Sequence, residues 1–313
     1  MPIRFVESRM ISDCSTPPSC TLTPEDIVHD VKHLPSAPKV LPRLKQLLSD
    51  GNSAMHDIVQ LIRLDLGISA RVLQVANSAY YSKGTRCFTV EEAVRCVGYD
   101  QVYDLVSYAV ASQVLVRPLC VYGIEADDLW KQSVACALAA ETLALFTGQD
   151  RNVAYTNGLL HSVGMVAIDE WAKRNARTLT LKSVGFPRDA SEAERARFGF
   201  TQADAGAALL RHWDFPKEMT EPVKWQYAPR ASAGFARMAC LLHAAKWLRT
   251  AVCFGSQSTL ALPDASQLQP LSLSPSALRA MAFQVEMRLA DISSLLDVND
   301  TRRRDRHRFP WMT

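Results

Sequence analysis

Apolar residues recur three and four positions apart along most of this chain, the period of helices with one buried face. In TPEDIVHDV (23–31), Thr23 can cap a helix and Pro24 suits its first position. Glu25 and Asp26 complement the positive helix end. Prolines 35, 38 and 42 break that helix and admit another to about Leu48, closed by Gly51. Ser53 opens SAMHDIVQLIRLD, with Met55, Ile58, Val59 and Ile62 at helical spacing. GISARVLQVANSAYY (67–81) places Ile68, Val72, Leu73 and Ala76 on one face. Thr89 and Glu92 form a capping box before AVRCVG, and Val102, Leu105, Val106 and Ala109 stripe the segment 100–115.

Beyond a turn at Val121–Gly123 the predicted helices lengthen. ADDLWKQSVACALAAETLALFTG (126–148) starts on acids and ends on glycine. NVAYTNGLLHSVGMVAIDEWAKR (152–174) reads as one helix, apolar almost all round and therefore buried. Segments 191–200, 201–216, 216–229 and 231–255 continue the series, with Thr201 and Asp204 capping the second of them. A serine- and proline-bearing link (256–277) leads to a last amphipathic segment at 276–296. Alternating patterns are absent, so the expectation is an all-α array without heptads or a solenoid repeat. Its expected division is a leader (1–22), an N-terminal helical lobe (23–123), a second helical lobe (124–255), and a C-terminal linker, helix and basic tail (256–313).

Composition narrows this only slightly. The 313 residues carry a net charge of +3, too near neutral to imply a nucleic-acid or membrane partner. TRRRDRHRFP (301–310) is the one local basic excess and reads as a solvated tail. No two of the eight cysteines have C-x-x-C spacing, and Cys136 lies in an apolar run where it serves as a small hydrophobe. With no secretory apolar region and no run of about 18 apolar residues, a cytoplasmic protein with reduced thiols is expected.

LPSAPKVLPRLKQLL, LDLGISARVLQVANSAYYSKG and TVEEAVRCVGYDQVYDLV, in that order, resemble the N-terminal lobe of the HDOD (HD-related output domain) family. LWKQSVACALAA, GLLHSVG and FGFTQADAGAALLRHWDFPKEM resemble its HD-like lobe, so the resemblance spans about residues 33–250. It implies an HDOD-type helical array related to HD phosphohydrolases, in bacterial proteins that signal without catalysing a reaction.

HD hydrolases gather histidines and aspartates from separate helices around divalent metal, which acidifies a bound water and clamps a phosphate oxygen. At the places this resemblance implies, the chain offers Gln132, His161, Ser162, Gln202, Gln226 or Tyr227, and Lys246. Only His161 is a metal ligand of the expected kind, and a lysine ammonium repels a divalent cation. No catalytic residue, metal or cofactor is therefore expected. His161 reads as a hydrogen-bonded core histidine, and His161, Gln132, Gln202 and Lys246 as the lining of a vacated pocket. Other motifs fall short. Ser162 has Gly164 after it, but Leu160 stands where a nucleophile elbow needs glycine. HDVKH (29–33) pairs two histidines at i and i+4 without a third ligand. Trp130, Trp213 and Trp247 lie on core stripes, leaving Trp225 and Trp311 as the more exposed tryptophans.

The expected function is a regulatory protein that contacts other signalling proteins, such as components of cyclic-dinucleotide or two-component pathways. The alternative is a small-molecule or nucleotide sensor built on the vacated pocket, where Lys246 suits an anion. Residual metal-dependent phosphohydrolysis, and DNA contact through the arginine tail, are weaker readings.

Overall fold

The computed structural model describes residues 22–28, 31, 47, 54–82, 85–98, 101–102, 118–175, 177, 179–181, 191–255 and 261–308. Within them the chain is helical throughout, and the sole strand-like feature is an isolated bridge between Leu119 and Ile124. Apart from Leu47 and residues 101–102, which are helical, the expected helices at 33–51 and 100–115 lie outside the described residues, as do the His29/His33 pair and Trp311.

Helices α2 (Met55–Arg63), α3 (Leu66–Asn77), α4 (Ala79–Ser82) and α5 (Val90–Val97) form the first part, whereas α1 (Pro24–Val28) packs on helices of the second. Of the stripes predicted for α2 and α3, Ile58, Val59, Ile62, Ile68, Val72, Leu73 and Ala76 enter the core, and Met55 is only partly buried. Asp65 caps α3 by accepting from the Ile68 amide at 2.8 Å, and the Thr89–Glu92 capping box starts α5. Asn77, in the ANSAYY stretch, clamps an extended segment. Its amide donates to the Cys87 carbonyl (3.0 Å) and its oxygen accepts from the Cys87 amide (2.9 Å).

The second part is built on α6 (Ala126–Thr147), which packs against α7 (Arg151–Leu160), α12 (Ala236–Phe254) and α14 (Pro275–Arg308). Helix α8 (Val163–Arg174) packs on α10 (Gln202–His212), which also meets α11 (Lys217–Lys224) and α1; α9 (Ser191–Phe198) precedes it and α13 (Ala265–Leu268) precedes α14. The two parts are stitched at the end of α2. Its Arg63 and Leu64 carbonyls, which a helix terminus leaves without intrahelical partners, accept from Tyr155 Oη (3.0 Å) and Trp130 Nε1 (3.1 Å).

Two sequence expectations are corrected here. The single helix expected over 152–174 is two: α7 stops at Leu160, and α8 starts at Val163 after a turn at His161–Ser162. Helical apolar spacing persists through the turn, so periodicity alone does not register it. The final helix does not stop near 296, and its backbone carries the basic segment as far as Arg308. No glycine or proline interrupts 276–308, and arginine favours helix. Trp130, Trp213 and Trp247 are buried as expected. Trp225 is half-buried, its Nε1 donating to Glu221 with Lys224 over its ring.

Candidate functional site

Two glycines on either side of the His161–Ser162 turn fix its position. A Cβ on Gly158 would lie 2.6 Å from the Cys136 carbonyl oxygen, so α7 crosses α6 in backbone contact. A Cβ on Gly164 would lie 1.8 Å from the Gln202 carbonyl oxygen and 2.6 Å from the Gly206 amide, so α8 crosses α10 equally closely. The turn is thereby pinned between α6 and the start of α10. Ser162 Oγ reaches Ser133 Oγ of α6 at 3.4 Å.

His161 is buried, with Nδ1 at 2.7 Å from the Gly158 carbonyl. A carbonyl only accepts, so Nδ1 carries the proton and Nε2 presents its lone pair. Arg249 Nη1 lies 2.9 Å from Nε2 and donates to it. Burial, then the charges of Arg249 and Lys246, hold the His161 pKa well below its usual value, so the ring stays neutral.

Around this pair stand the other residues singled out from the sequence. Gln226, fully buried, donates to the His161 and Val223 carbonyls (3.0 and 2.9 Å), which locks the turn from the α11 side. The Gln202 side chain donates to Tyr227 Oη (2.9 Å), and Lys246 Nζ sits 3.5 Å from the centroid of the Tyr227 ring. Gln132 lies on α6 one residue before Ser133 and one turn before Cys136, whose thiol is in the field of Arg249 and Lys246. Burial pushes that thiol up to about 12, so it is an inert core group. The degenerate positions thus share one neighbourhood.

Sequence reasoning missed three contributors. Arg249, three residues after Lys246 on the same helix, is the most consequential. A signal was present in the cationic i, i+3 pair on a largely apolar helix. Glu194 looks like a surface acid in SEAERARF, yet it is fully buried and accepts from the Gln202 amide (2.8 Å) and Tyr122 Oη (3.0 Å). Burial and Glu194 raise the Tyr122 pKa, which keeps the phenol a donor. Asp169 accepts from the Val121 amide at 2.8 Å and ties the turn before α6 to α8.

A divalent metal does not fit this donor set. Among the described residues no three His, Cys, Asp or Glu side chains converge on a possible ion position. The lone pair His161 would offer is taken by a guanidinium, and the lysine adds a second positive charge. Glutamine and serine are weak neutral ligands that do not offset that repulsion.

The HDOD domain model matches residues 34–229, well over half of the chain. This chain belongs to the HDOD family. It is similar to an uncharacterised protein of Treponema pallidum, 26% identical over 205 residues, which are 64% of this chain and 39% of the relative. The chain therefore matches well under half the length of that relative. Among solved structures it resembles the MmoQ response regulator of Methylococcus capsulatus, with a TM-score of 0.64 and 20% identity, covering 81% of this chain and 99% of that one. It also resembles a virulence factor of Campylobacter jejuni, with a TM-score of 0.59 and 20% identity over 72% of this chain and 83% of that one. These likenesses establish the HDOD-type all-α fold. No helix among the described residues is long and apolar enough to cross a membrane.

Proposed function

We propose that this chain is a regulatory signalling protein that catalyses no reaction and acts through contacts with other proteins. The observation that carries this reading is the guanidinium of Arg249 on Nε2 of His161. A site that binds metal needs that lone pair, and here a fixed cation occupies it. The structurally similar MmoQ is a response regulator, which is consistent with a role in signalling.

Purified protein incubated with manganese and freed of excess metal is expected to retain no stoichiometric metal and to leave a generic phosphodiester intact. Stoichiometric metal together with turnover that Arg249→Ala or His161→Ala changes would overturn the non-catalytic reading. Affinity capture from the native cell, with mass spectrometry, is expected to recover a signalling protein. Recovery of none would count against the contact mechanism.

A further inference from the structure

Among the described residues, Arg249 is a cation without a counter-charge. Its Nη1 donates to a neutral imidazole and its Nη2 to Thr250 Oγ1 (3.3 Å), while its Nε is enclosed with no hydrogen-bond partner. No carboxylate among the described residues pairs with it. Arg249 is half-buried, and holding a partly enclosed guanidinium this way is costly unless an anion completes the site. A second observation points the same way. Gln132 is 5% exposed, and its Nε2, which carries two N–H donors, has no partner either. It lies on the stretch of α6 that faces α12: Cys253 lies against the Lys131 carbonyl, and Cys136 feels the Arg249 and Lys246 charges. Lys246, held over the Tyr227 ring, adds a further positive charge to the same neighbourhood.

We propose that this vacated metal position is a binding site for the phosphate group of a small molecule, held by Arg249, Lys246 and Gln132. Both Nη atoms of Arg249 are already engaged, so the planar two-bond clamp that suits a carboxylate is not offered. Separate donors arriving from α6 and α12 suit a tetrahedral oxyanion. The fixed cations take over the charge role that a metal plays towards phosphate in an HD hydrolase. With no metal to activate water, the phosphate is bound and not hydrolysed. The proposal rests on the reading that the site holds no metal, and it is independent of which proteins the chain contacts.

The test is thermal unfolding of the 313-residue chain in inorganic phosphate, in adenosine 5′-monophosphate and in acetate, with ionic strength held constant by chloride. Phosphate is expected to raise the midpoint in proportion to the logarithm of its concentration once past its Kd, and acetate is expected to have no effect. Lys246→Met and Gln132→Met, each checked for native helicity, are expected to weaken the apparent phosphate affinity at least about tenfold. A larger response to the nucleotide than to phosphate identifies a nucleotide as the source of the phosphate group. Equal responses identify free phosphate. No phosphate response, an equal response to acetate, or responses unchanged in both variants overturns the proposal. Metal content measured on the same sample separates the failures. A metal-loaded protein sinks the premise that the site holds no metal, whereas a metal-free protein indifferent to phosphate sinks only the phosphate site.

Discussion

Glu141 and Arg249 both place charge inside the array, and the chain treats them in opposite ways. The Glu141 carboxylate, 9% exposed in its side chain, is surrounded by arginines from three other helices. Its Oε1 lies 3.9 Å from Arg63 Nη2 and 3.5 Å from Arg151 Nη2, and its Oε2 pairs with Arg288, which also donates to Thr142 at 3.1 Å. Arg63 in turn stacks on Tyr155 and pairs with Glu91 at 3.2 Å. That junction is closed: acceptor and donors meet, and α2, α6, α7 and α14 are joined by it. The Arg249 neighbourhood is open, with its cation on a neutral ring and with enclosed donors left over. A closed ionic cluster reads as stability and an open one as a place for something else. Four measurements test that contrast.

The largest effect belongs to the frame of the open site. In Gly164→Ala the new methyl meets the backbone of α10 at 1.8 Å, and neither helix has a flexible side chain to yield. A loss above about 3 kcal/mol of unfolding free energy is expected, read by urea denaturation. A loss under about 1 kcal/mol would mean that the α8–α10 crossing is loose, and the placing of His161 with it.

Next comes Glu141→Gln, which leaves three arginines around a neutral amide. About 2 kcal/mol of destabilisation is expected, below the full cost of breaking a buried pair because Arg151 and Arg288 are roughly half exposed. Added salt should shrink the difference between variant and parent. An effect indistinguishable from zero would remove the distinction between the closed and open clusters.

How much of this was legible in the sequence differs sharply between fold and site. Helix ends were readable because their signals are local: both capping boxes, Thr89–Glu92 and Thr201–Asp204, form as their spacing predicts. The substituted positions came from the family resemblance, and in the structure Gln226 meets His161, Gln202 and Lys246 both meet Tyr227, and Gln132 adjoins Ser133, which meets Ser162. The break at His161–Ser162 was hidden, because apolar spacing runs through it and the cause is a pair of interhelical backbone contacts. Arg249 carried only the local signal of its i, i+3 spacing from Lys246. Its partner lies 88 residues away, and no spacing rule connects a late helix to an earlier turn. Glu194 was missed because its burial depends on a tyrosine 72 residues before it.

The third measurement addresses the neutral state of His161. Its folded pKa lies well below the ordinary 6.5, so above that value neither folded nor unfolded chain protonates it and it adds no pH dependence. As pH falls below about 6.5 the unfolded chain takes up the proton first, so stability declines by up to about 1.4 kcal/mol per pH unit. His161→Asn should show a shallower loss than the parent between about pH 6.5 and 5. Equal slopes in parent and variant would show that the ring accepts its proton in the folded state, and that Arg249 does not occupy Nε2.

The smallest effect is the most pointed, because its expected sign is opposite to that at Glu141. Gln132→Met keeps the side-chain volume while removing a buried amide whose Nε2 has no partner. A polar group kept for stability would cost free energy when lost. One kept for a ligand should leave the ligand-free protein unchanged, or stabilise it by up to about 1 kcal/mol. Urea midpoints of Gln132→Met and Glu141→Gln in phosphate-free buffer should therefore move in opposite directions from the parent, or the first should not move at all. Were Gln132→Met to lose as much as Glu141→Gln, the amide would be part of the closed structure. The leftover donors would then no longer distinguish the site around Arg249 from the clasp around Glu141.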